Sequence, residues 1–179
     1  MLNASQKSES AVFSMIEMMV AITIFSLTLM LGISGFRTWI QNTQIRTAAE
    51  AMQNGLQRAR AEAVRRNMNV AFVLGNNTDW RLATDIPVTT ANTIDTRLSS
   101  EGSQRVTSTV TPAGATAVSY NNYGLLVGNS DASASITQID LRSSIAPATN
   151  YRSLRILVGN TGSVRMCDPA LTAGTIGAC

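Results

Sequence analysis

The chain contains no histidine. That removes the side chain most often used as a general base near neutral pH and most often found on a metal. The Ser-His and Cys-His pairings of nucleophilic catalysis go with it. Cysteine is scarce: Cys167 and Cys179 are the only two in 179 residues. Lysine is scarcer still. Lys7 stands beside thirteen Arg, against 11 acids, for a formal charge of +3. Such a charge is far from that of a dedicated nucleic-acid binder. Charged residues make up only 14%, while Ser, Thr, Asn, Gly and Ala are plentiful. That suits a secreted or surface-exposed β-rich domain better than a cytosolic enzyme. No phosphate-cradling loop, no Gly-x-Gly-x-x-Gly and no metal-ligand cluster occurs, and the acids are scattered. No enzyme, cofactor or metal is expected.

What the chain does have is a long apolar run over residues 13–40. From 18 to 36 there are nineteen residues without a charge. As a helix at about 1.5 Å per residue they span about 28 Å, close to the roughly 30 Å hydrocarbon core of a bilayer. One acid, Glu17, stands at the leading edge. Burying it alone costs roughly 2.5–3.5 kcal/mol, so it is expected to have a partner. Residues 1–12 are short and polar and carry Lys7. A secretory signal peptide has a shorter apolar region followed by a small-residue cleavage site. Here the run is too long and no such site follows. Residues 1–12 are therefore expected to stay cytoplasmic and 13–40 to be a transmembrane half-helix. Gly32, Ser34 and Gly35 interrupt the run late. They fit a soft point in the helix or close packing of small residues on another helix, and both readings stay open.

Residues 41–67 are amphipathic. Ile45, Ala49, Met52, Leu56, Ala59 and Ala63 recur at helical spacing and mark a buried face. Arg58–Glu62 and Glu62–Arg66 are expected as i,i+4 pairs on the exposed side. Arg65 and Arg66 suit the last turn, and Asn67 and Asn69 end the helix. From Val70 the period becomes two. Residues 70–74 and 80–83 read as a hairpin, and 84–103 as a loop with room for one edge strand. Further strands are expected at 105–111, 117–121 leading into 123–127, 136–142, 151–158 and 163–167, with 128–135 a flexible small-residue loop. Trp80, Leu154, Ile156 and Val164 are core candidates.

These segments carry a family resemblance. Phe13-Ser14-Met15-Ile16-Glu17-Met18-Met19-Val20 resembles the N-terminal signature of type IV pilins and type II secretion pseudopilins. The helix from Ile45 to Asn67 resembles that of the minor pilins and pseudopilins of the FimT/GspH kind. Ser119-Tyr120-Asn121-Asn122-Tyr123-Gly124 is similar to the family's aromatic-Asn-x-x-Gly segment, and 155–169 to its closing hairpin. The resemblance implies an α+β, pilin-like fold: a long N-terminal helix, membrane half plus amphipathic half, packed on an antiparallel β-sheet domain at 68–179. It implies cleavage by a prepilin peptidase between Val12 and Phe13 and methylation of Phe13, although Val12 stands where the family prefers Gly. It implies storage in the bacterial inner membrane with a periplasmic C-terminal domain, then assembly with other major and minor pilins or pseudopilins at or near a filament tip. Glu17, four residues beyond Phe13, would meet the N-terminal ammonium of a neighbouring subunit and set register.

Cys167 and Cys179 are expected to pair in an oxidising compartment, closing the tail into a loop worth roughly 3 kcal/mol. A metal site or redox pair fits their number and spacing less well. Some subunits of this family are associated with DNA binding through a Gly-Arg-x-Arg motif. Gly162-Ser163-Val164-Arg165 lacks its first Arg. Arg152, Arg155 and Arg165 are the candidate DNA contacts, set against ordinary exposed strand positions.

Overall fold

The computed structural model describes residues 14–179, without the side chains of 31–34. The expected processing position, Val12 and Phe13, lies outside the described residues. One helix, α1 (Met15–Arg66), runs through most of both predicted half-helices. It ends as its sequence requires. Asn67 takes a left-handed conformation, φ 54. Its N–H reaches the Val64 carbonyl at 3.3 Å and that of Met68 reaches Ala63 at 3.2 Å, the paired bonds that close a helix C-terminus. The chain divides into two compact units, Met1–Arg37 and Thr38–Cys179.

The strands of the second unit are β1 (Val70–Leu74), β2 (Trp80–Ala83), β3 (Thr93–Arg97), β4 (Val106–Thr111), β5 (Ala117–Tyr120), β6 (Leu126–Val127), β7 (Gln138–Ser143), β8 (Leu154–Val158) and β9 (Val164–Cys167). They form two antiparallel sheets, ordered β3-β2-β1-β5-β6 and β4-β7-β8-β9. The β1–β2 hairpin pairs Leu74 with Trp80. The room left for one edge strand at 84–103 is filled by β3.

The helix face identified by its spacing is the core. Ile45, Ala49, Met52, Leu56, Ala59 and Ala63 are all fully buried. They cluster with Phe72, Trp80 and Tyr120 of one sheet and Ile139, Leu141 and Ile156 of the other. Leu154 and Val164 pack at its edge, partly buried. Small residues on α1 let the sheet come close. A Cβ on Gly55 would stand 3.0 Å from both Phe72 and Trp80, so only glycine fits without displacing an aromatic ring.

One expectation needs correction and a second a qualification. Arg58 does not pair with Glu62. It reaches across to Asp95 on β3 at 2.6 Å, while Glu62 takes Arg65 and Arg66 at 2.6 and 2.7 Å. Arg65, one residue before Arg66, competes for the same carboxylate, which leaves Arg58 to the sheet. The 128–135 segment is a small-residue loop as expected, but one tied to the sheet by a side chain. It lies over the outer face of β5, held by Asn129, which is 6% exposed. The Asn129 side chain accepts from Ser119 at 2.8 Å and donates to Ser133 and to the Ala117 and Ala134 carbonyls.

Candidate functional site

The first candidate site is the start of α1. Met15, Ile16, Met19, Phe25 and Met30 are all largely exposed. The hydroxyls of Thr23, Ser26 and Thr28 each donate at 2.8 Å to a carbonyl one turn earlier. Their polarity is thereby spent inside the helix, and the surface left is apolar. Glu17 lies in the first turn and is exposed. Among the described residues no cation pairs with it. Among the described residues no single helix is long and apolar enough to cross a membrane; the stretches Met15–Met30 and Gly35–Arg66 of α1 meet the length and composition of a span only when taken together.

The second candidate is the C-terminal tail. Cys167 and Cys179 form a disulfide with their Cα atoms 5.1 Å apart. Asp168, next in sequence, is buried. Burial raises its carboxyl pKa, but hydrogen bonds from Arg152 and from the Ala170 N–H outweigh this and hold it below the ordinary carboxylate value. Arg152 donates to it at 2.8 Å. Its backbone N–H donates to Gly177, and an isolated bridge joins it to Ala178. The tail is thus folded onto the end of β9.

Of the three candidate arginines, Arg155 and Arg165 share one face of the β8–β9 hairpin by register, but two of the three are held by acids. Arg152 is committed to Asp168. Arg155, on β8, pairs with Asp140 of β7 at 2.6 Å. Gln138 donates to the same carboxylate at 2.7 Å. Arg165 is exposed on β9. Among the described residues no group of His, Cys, Asp or Glu is arranged to hold a metal.

The aromatic-Asn-x-x-Gly segment and the closing hairpin, which looked unconnected in sequence, touch. Gly162, at φ 78, packs so tightly that a Cβ would stand 2.9 Å from the Gly124 carbonyl and 3.1 Å from the Tyr120 ring. Gly124, at φ 73, packs on Arg60 of α1, 2.9 Å from its Nε on the same construction. Asn121 fixes the turn that carries Gly124, accepting from the Tyr123 and Leu125 N–H groups at 3.0 Å. The reason for these residue types is packing. Sequence reasoning missed the contact because nothing in either segment names its partner.

Comparisons with known proteins bear on the family and the fold. A family model described as Type II transport protein GspH matches residues 48–162. Two crystal structures of the type IV minor pilin FimU of Pseudomonas aeruginosa are similar in fold. One superposes with a TM-score of 0.55 at 13% identity, covering 76% of this chain and 98% of that one. The other gives 0.51 at 14% identity, covering 73% and 98%. No curated protein sequence matches.

Proposed function

The chain belongs to the GspH family of type II transport proteins, and from that premise we propose that it is a minor pilin or pseudopilin subunit of a membrane-assembled filament. Residues 13–40 hold it in the inner membrane, with the β-rich domain on the periplasmic side. A prepilin peptidase removes residues 1–12, and the new N-terminus at Phe13 is methylated. The apolar helix then passes from lipid into a filament of related subunits, where this one sits near the tip and helps start assembly. The observation that carries this reading is the contrast along α1. Its face from Ile45 to Ala63 is buried under the sheets, while Met15–Met30 stays exposed and apolar. A surface of that kind needs lipid or other helices around it.

Glu17 gives the assembly its register. A carboxylate among apolar helices is tolerated when an ammonium meets it, because the two charges leave water together. Replacing Glu17 by Ala is expected to leave the protein in the membrane fraction and to deplete it several-fold from sheared surface filaments, or from the secretion pseudopilus. Undiminished incorporation of the variant overturns the role given to Glu17. Mass spectrometry of the native protein tests the processing step: the expected mature chain begins at a methylated Phe13.

A further inference from the structure

The disulfide loop carries an apolar surface that the core does not use. Ile176 is 99% exposed and Leu171 is 38% exposed. With Trp39, itself 63% exposed, they line a groove of about 400 Å³ between α1 and the tail. From 169 to 179 no side chain is charged. The two arginines on the groove are already neutralised, Arg46 by Glu50 at 2.7 Å and Arg152 by Asp168 at 2.8 Å. The tail also satisfies much of its own backbone: Asp168, Leu171, Thr175 and Ala178 donate N–H bonds within it. The other N–H groups of the loop would meet polar headgroups rather than hydrocarbon at the depth of a headgroup layer.

Its place in the chain says which medium it meets. Trp39 follows the last residue of the uncharged run, Phe36, by three positions. Even fully extended, three residues reach no more than about 11 Å. The headgroup layer on each side of a bilayer is roughly 5–7 Å thick. Trp39 is therefore held at or just above the lipid surface, where indole rings are favoured, and the loop that shares its groove is held there too.

We propose that in the membrane-stored subunit the Cys167–Cys179 loop is a second membrane contact, with Ile176 and Leu171 inserted into the headgroup layer beside Trp39. This rests on the reading of residues 13–40 as a membrane segment. The contact docks the β-rich domain on the lipid surface, and entry into a filament breaks it.

The test uses the full-length chain in phosphatidylethanolamine–phosphatidylglycerol vesicles containing a lipid brominated near the headgroup end of its acyl chain. Trp39 and Trp80 are the native indoles, and Trp80 is buried. Wild type compared with Trp39→Phe reports the quenching of Trp39. In the Trp39→Phe background, Ile176→Trp is expected to be quenched as strongly as native Trp39, with a blue-shifted emission. Tyr123→Trp, an exposed position on the β5–β6 turn, is expected to show no quenching. Leu171→Trp repeats the measurement should Ile176→Trp not fold. Quenching of Trp39 without quenching at either loop position overturns the proposal and leaves the membrane reading standing. A blue shift at Ile176→Trp that lipid does not quench and that grows with protein density overturns it too, and puts a second copy on the groove. Absence of quenching at Trp39 itself overturns both.

Discussion

Several residues carry costs that substitution should reveal. The Tyr120 hydroxyl is buried, and among the described residues no group accepts from or donates to it. Burial pushes its pKa up to about 12, against a lesser opposing influence from Arg60. A buried hydroxyl without a partner costs about 1–3 kcal/mol, so removing it leaves the packing and takes away the cost. Tyr120→Phe is expected to raise the melting temperature, which calorimetry on wild type and variant checks. Gly162 is the opposite case. Its positive φ and the contacts with Gly124 and Tyr120 leave no room for a Cβ. Gly162→Ala is expected to destabilise the domain by roughly 1–3 kcal/mol, measured by denaturant unfolding. Glu62 supplies a pH dependence. Hydrogen bonds from Arg65, then Arg66, lower its carboxyl from 4.5 to about 2 in the folded state. A carboxylate with a depressed folded pKa stabilises above its unfolded value and loses that contribution as pH falls through the folded one. Stability should therefore fall between about pH 4.5 and 2, by an amount that Glu62→Gln reduces.

At the scale of elements, the disulfide loop offers the clearest test. Linking Cys167 to Cys179, 12 positions apart, restricts the unfolded chain and contributes roughly 3 kcal/mol on the entropic model. Reduction is expected to lower the denaturation midpoint and free the hydrogen bonds between Asp168 and the end of the tail. An unchanged midpoint after reduction argues against that contribution. The loop was legible because two cysteines leave only one internal pairing. The buried face of α1 was legible because helical periodicity reports burial directly, and Ile45 to Ala63 lie where the spacing puts them. The partition of nine strands into two sheets was not legible. A strand's alternation says which face is buried but not which strand lies beside it. The Arg58–Asp95 tie was hidden for a related reason. Spacing along a helix reveals i,i+4 neighbours, and Asp95 is 37 positions away. Asn129 shows a third limit: a polar residue in a small-residue stretch reads as loop, and only its bonds in three dimensions reveal a clamp.

For the molecule as a whole, charge decides between a filament subunit and one that also captures DNA. Phosphate contacts release counterions, so affinity falls with salt at a slope of about −0.9 per phosphate neutralised on duplex DNA. Of thirteen arginines, at least seven are held in ion pairs among the described residues: Arg46, Arg58, Arg65, Arg66, Arg97, Arg152 and Arg155. Taking Arg152 or Arg155 for a phosphate would strand Asp168 or Asp140, both of which have little exposed side chain. Stranding a mostly buried carboxylate offsets much of what the phosphate contact gains. That leaves Arg165 as the one member of the candidate set not committed to an acid, and one phosphate contact gives a slope of only about −0.9. The compact unit Thr38–Cys179, mixed with duplex DNA across a salt series, is expected to show no shift at physiological ionic strength and only a shallow salt slope below it. A steep slope that Arg165→Ala reduces by about one unit would instead place the closing hairpin on the phosphate backbone and add a DNA-capturing role to the proposed filament one.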